Sequence, residues 1–114
     1  MKAKAKKLVS SKKLNQSKTI VLTSQQVRVT QNLGDGFRRL ILSPVQIGPN
    51  TTIALDLRAP SGRVVISGGW TISALLPAWP TDSFPISDNR WIIFIQNPTN
   101  FTRSITPYLI TKRR

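Results

Sequence analysis

From Thr19 onward apolar residues recur in short runs with a period of two, and Gly, Pro, Asn and Asp punctuate them, which predicts β-strands throughout and no helix of useful length. The clearest run is Thr52–Arg58: Ile53, Leu55 and Leu57 alternate with Asp56 and Arg58, predicting a strand with one face in the core and one wet face. Trp91–Ile95 is apolar at every position, as expected of a central strand covered on both sides. Thr19–Thr23 and Val27–Thr30 read as a strand pair or as one bent strand, with Val27 and Val29 on one face. The glycines of Asn32-Leu33-Gly34-Asp35-Gly36 suit a turn with positive φ before a strand over Phe37–Leu42.

The prolines sharpen the outline. Pro44 and Pro49 bracket Val45 and Ile47 and place that short piece at a sheet edge, and Pro107 assigns the final strand, Arg103–Thr111, to an edge as well. Ala59-Pro60-Ser61-Gly62 makes a tight turn into Arg63–Ser67. Gly68-Gly69 then marks a bulge, a close backbone approach or a loop before Trp70–Leu76. Leu76–Pro85 holds Pro77, Pro80 and Pro85 and reads as a stiff loop presenting Trp79 and Phe84 as interface anchors, with a lid over the core as the other reading of Trp79.

The expected fold is all-β: a small antiparallel β-sandwich, jelly-roll-like or immunoglobulin-like, with a disordered or extended basic N-terminal arm. Residues 1–18 form the arm, 19–111 the sandwich and 112–114 a basic tail, since a chain of 114 residues accommodates one core.

Charge divides the chain more sharply than hydropathy does. Of the net +13, Lys2, Lys4, Lys6, Lys7, Lys12, Lys13 and Lys18 stand at the start with no acid among them, and Lys112, Arg113 and Arg114 at the end. Between these segments, seven arginines against four aspartates leave only +3. Without hydrophobic periodicity, the first segment cannot bury enough apolar area to offset its ordering entropy. Such an arm contacts a polyanion with release of counterions, orders across an acidic neighbouring subunit, or serves only to solubilise. Leu8, Val9 and Leu14 add apolar anchors that a phosphate brush does not need, which favours a protein groove.

The absence of Cys, His and Glu, with only Asp35, Asp56, Asp82 and Asp88 as acids, argues against an enzyme. General acid–base and metal-assisted chemistry draw on those residue types, so no catalytic, cofactor-binding or metal-binding residues are assigned and no cofactor is expected. No apolar run is long enough to cross a bilayer as a helix, and no membrane partner is expected.

Ala59–Trp70, Asp82-Ser83-Phe84-Pro85, Asn89–Asn97 and Ser104–Thr111 together resemble a compact β-sandwich module of phage structural proteins and related bacterial surface proteins. Similar modules often carry a Cys near the Pro-Ser-Gly turn and another on the last strand, where this chain has Arg58-Ala59 and Ile110-Thr111. The resemblance implies a β-sandwich and carries over no site residues.

The leading expectation is therefore a bacteriophage virion protein assembled in the host cytoplasm: a capsid decoration, cement or minor head protein. It would bind viral capsid proteins and copies of itself through the basic arm, Trp79 and Phe84, as a homo-oligomer. The alternatives are a nucleic-acid-binding protein that grips phosphates with both basic ends, and a glycan-binding adhesin or fibre module with Trp79 stacked on a sugar near Asp82 and Asn89.

Overall fold

A computed structural model describes residues 18–72 and 77–114. The arm lysines Lys2 to Lys13, and the end of the predicted Trp70–Leu76 strand, lie outside these residues. Nine strands follow in order: β1 (Lys18–Leu22), β2 (Val27–Gly34), β3 (Phe37–Leu42), β4 (Val45–Ile47), β5 (Thr51–Arg58), β6 (Arg63–Ile72), β7 (Trp79–Ser87), β8 (Arg90–Asn97) and β9 (Arg103–Arg113). They form two packed sheets, one of four strands in the order β1-β5-β8-β7 and one of five in which β9 pairs with β3, β4 and β6. The expected all-β sandwich is what the chain forms, and no α-helix occurs among the described residues.

Period-two patterning does most of this work. Ile53, Leu55 and Leu57 of β5 pair with Ile95, Ile93 and Trp91 of β8, and this face meets Leu40, Leu42, Ile47, Ile105 and Leu109 of the other sheet. Each such aliphatic side chain contributes about 1.5–3 kcal/mol on leaving water. The turn after β2 is as the glycines predict, with Gly34 at φ 90°, Asp35 at 55° and Gly36 at 85°.

Thr19–Thr23 and Val27–Thr30 are neither a pair nor one strand. Thr23 caps a single 3-10 turn over Ser24–Gln26, its side chain accepting from the Gln25 amide while Gln26 Oε1 accepts from the Thr23 amide at 2.8 Å. That turn carries the chain from one sheet to the other, so β1 pairs with β5 and β2 with β3. The β1–β5 pair is parallel, an exception to the otherwise antiparallel pairing, because β2, β3 and β4 intervene and belong to the opposite sheet. Lys18, read as the last arm residue, is the first of β1, opposite Ile53. A bulge between Val27 and Val29 separates the two valines, and Val29 is exposed.

The later prolines sit otherwise than expected. Trp79–Phe84 is not a loop: it lies in β7, an edge strand whose pairing with β8 shifts register at Pro80/Asp82 and Pro85/Ser87. Prolines and bulges belong together at an edge, where one side of the ladder has no partner to lose. Conversely, β9 is no edge. It is flanked by β6 on one side and by β3 and β4, end to end, on the other. The β3 register stops at Tyr108 and the β4 register starts at Ile105, so Pro107 falls in the gap between them and breaks no ladder there.

Gly68 and Gly69 are a close approach inside the continuous strand β6; the bulge lies earlier, at Val65/Ser67. A Cβ on Gly68 would stand 2.6 Å from Trp91 Cδ1, and one on Gly69 2.4 Å from Tyr108 Oη, so the two glycines seat one aromatic ring on each face of the strand.

Candidate functional site: an apolar sheet face and an arginine corner

Residues of the four-stranded sheet that alternate with the core positions form its outer face. Register places Val21, Asp56, Ile92 and Phe84 in one row across it, and Thr19, Ala54, Phe94 and Asp82 in the next. Trp79 stands beyond them, opposite Gln96. Ala54 and Ile92 are each 7% exposed although neither belongs to the core cluster. Phe84 stacks on Phe94 with centroids 6.4 Å apart. Trp79 and Phe84 stay exposed on this face beside Phe94, and Val21 is exposed at its opposite edge, which leaves apolar surface facing solvent. Trp79 is 49% exposed, which removes the reading of it as a lid over the core. Trp79 and Phe84 therefore share one face, about 13 Å apart along β8 at ~3.3 Å per residue.

Asp56 interrupts that surface, and the expected wet face is corrected at this residue. It is 3% exposed, and its Oδ2 accepts from Arg58 Nη2 at 2.9 Å and from Arg90 Nη2 at 2.8 Å. Burial alone would raise the carboxyl's pKa. The hydrogen bonds and charge of Arg90 and Arg58 more than reverse this and hold it below the usual value, while Asp56 raises the pKa of Arg90 in return.

The second concentration of charge lies where the β2–β3 turn, the start of β6 and the end of β9 meet. Arg63 opens β6 opposite Arg113, on the core-facing side, and is buried at 7% exposure. Its Nε donates to Thr111 Oγ1 at 2.8 Å and its Nη2 to the Gly36 carbonyl at 2.6 Å. The Arg113 amide also donates to Gly36 O, at 2.9 Å, and the Arg113 side chain passes over Gly36. Arg38 lies opposite Thr111 from the β3 side. Desolvation, then the charges of Arg38 and Arg113, push the Arg63 pKa down from its ordinary value.

The ion pairs among the described residues are Asp56 with Arg58 and Arg90, and Asp88 with Arg114 at 3.0 Å. None of them includes Arg38, Arg63 or Arg113. The basic C-terminal residues thus part company. Lys112 sits 5.6 Å over the Phe37 ring, Arg113 joins the corner, and Arg114 ties the β9 end to the turn before β8. Lys18 is remote from all three in register, on β1.

Sequence reading missed Arg63, Arg38 and Asp56. The available signal was a single charge opening an otherwise apolar strand after Pro60-Ser61-Gly62, and an aspartate flanked by Leu55 and Leu57. A third buried polar residue, Asn97, is structural: its Nδ2 donates to the carbonyls of Ile47, Gly48 and Phe101 and so locks two turns together. No group of three metal-capable side chains gathers among the described residues.

The profile of the YjdH family matches residues 18–111, which is β1 through all but the last two residues of β9. No curated protein and no solved structure matches the chain.

Proposed function

The chain belongs to the YjdH family, and for this member we propose a non-catalytic attachment role: a module that docks on a larger assembly through the outer face of its four-stranded sheet, with its basic ends as electrostatic support. The observation that carries this reading is the exposure of Trp79 and Phe84 on one sheet face, with Val21 at its far edge, beside the already covered Ala54 and Ile92. Exposed aromatics on a rigid strand make strong anchors because little side-chain entropy remains to be lost. The lysines of residues 1–17 suit an acidic partner surface and would speed encounter.

The assembly we propose is a bacteriophage shell, with this chain as decoration, cement or minor head protein packed beside copies of itself. That specific choice rests on the sequence resemblance of Ala59–Thr111.

The test is to purify particles from the source, wash them at rising salt, and quantify this chain against the major shell protein by mass spectrometry. A fixed, symmetry-like ratio that persists until high salt is expected, and the double variant Trp79→Ser, Phe84→Ser should be missing from particles while melting as the parent does. Absence of the parent chain from particles overturns the virion role, and undiminished retention of the double variant overturns the sheet face as the docking surface.

A further inference from the structure

We propose that the corner formed by Arg63, Arg38 and Arg113 is a phosphate-binding site, on a surface separate from the apolar sheet face. With Arg63 as a residue only 7% exposed, most of its side chain is out of water, and an arginine so placed is normally accompanied by a carboxylate, because an isolated charge loses hydration on burial. Arg63 has instead a hydroxyl, Thr111 Oγ1, and a backbone carbonyl, Gly36 O. These occupy Nε and Nη2 and fix the plane of the group. Among the described residues Nη1 makes no hydrogen bond, which leaves this edge of the group for a ligand.

The sequence leaves little room for a hidden counterion. Its acidic side chains are four: Asp56 and Asp88 are bound to other arginines, Asp82 lies on β7, and Asp35, in the neighbouring β2–β3 turn, makes no ion pair among the described residues; nor does any ion pair there join Arg38, Arg63 or Arg113 to the carboxylate carried by Arg114. Three cations thus gather around Gly36 and Thr111 with no carboxylate bridging any of them. Like charges repel, and the fold brings them together through β-sheet register, which fixes Arg38 and Arg113 on the strands flanking Thr111 and Arg63.

Charge count selects the ligand class. A single carboxylate neutralises one guanidinium, whereas a phosphate dianion offers about two charges and three acceptor oxygens for N–H groups arriving from different strands. The fixed plane of Arg63 makes it the anchor, and the more exposed Arg38 and Arg113 close on the remaining oxygens. Gly36, whose φ of 85° suits glycine, lets the Arg113 side chain lie over it, with Arg113 Nη2 3.8 Å from where a Cβ would stand.

The experiment is a titration of the full chain with inorganic phosphate at constant ionic strength, with chloride as the control anion, followed by NMR at the Arg Nε–Hε groups and the amides of Gly36, Arg113 and Arg114. A saturable shift confined to this corner is expected. The exposed pair Arg38→Gln, Arg113→Gln should weaken it by about tenfold or more, as expected for lost charge-assisted hydrogen bonds, without changing the melting temperature. Arg63→Met should abolish it, and the unchanged amide spectrum elsewhere will show that this variant remains folded.

Two further arms separate the sources of the phosphate. A short single-stranded oligonucleotide that displaces phosphate and binds more tightly with length overturns the dianion assignment, since each phosphodiester carries one charge; failure to displace supports a free phosphate or monoester, and displacement by a phosphomonoester but not by sulfate selects the monoester. An Asp/Glu-rich peptide that produces the shift when phosphate does not overturns the proposal. So does a phosphate response that is unsaturable or is unaltered by the Arg38, Arg113 double substitution.

Discussion

Two buried charges in this small sandwich are handled in opposite ways. Asp56, on the outer face of the four-stranded sheet, is met by two arginines, whereas Arg63, at the end of the five-stranded sheet, meets no acid. The first is a closed electrostatic unit. Arg58 and Arg90 lie directly opposite each other across β5 and β8, where like charges would repel, and Asp56 converts that repulsion into a bridge. The second is open, since its neighbours are two more cations. A chain with four acids and seventeen basic residues cannot close every site, and the acids show where closure serves the fold.

Breaking the closed unit should have the larger effect. Asp56→Ala leaves Arg58 and Arg90 facing each other and should cost about 2 kcal/mol; this is below the usual loss for a fully buried pair because both arginine heads reach solvent. Urea unfolding followed by tryptophan fluorescence reads this directly. Acid should act the same way. The folded carboxyl has its pKa below the ordinary 3.8, so its contribution is complete above that value and disappears as pH falls through the lower folded value. The acid-induced loss of stability between about pH 6 and pH 2 should be smaller in Asp56→Ala than in the parent.

The open unit should respond less. Arg63→Met keeps most of the packing and removes a charge that burial and its neighbours disfavour, while giving up the bonds to Thr111 and Gly36. The gains and losses nearly offset, leaving a change under about 1 kcal/mol by the same urea measurement. A loss as large as that of Asp56→Ala would make Arg63 a structural strut and erase the contrast. Smallest of all, Arg114→Gln removes an exposed pair with Asp88 and should shift stability by no more than about 0.5 kcal/mol. The same urea curves supply that value, and a larger one would mean that the pair holds the two sheet ends together.

Much of the fold was legible along the chain because burial in a sandwich repeats every second residue. Ile53, Leu55 and Leu57, and the apolar run at Trp91–Ile95, declared themselves in this way. The prolines misled in both directions. Pro80 and Pro85 looked like a loop but lie in an edge strand, and Pro107 looked like an edge but fills a gap in a central one. A proline reports that its own N–H is missing; which ladder would have used that N–H depends on strands distant in sequence. Exposure of Trp79 was one of two readings that its proline-rich neighbourhood allowed, and the face it shares with Phe84 was set by register with β8.

The sequence by itself determined the strand-forming pattern, the turn at Gly34-Asp35-Gly36 and the separation of charge between ends and body, because these follow from side-chain period, local backbone freedom and composition. Only the tertiary structure decided which charges meet. Arg58 and Arg90 are distant along the chain yet share Asp56, and Arg38, Arg63 and Arg113 come from three strands to surround Gly36 and Thr111. Electrostatic energy depends on distance in space, and β-sheet register sets that distance between residues whose separation in sequence carries no trace of it.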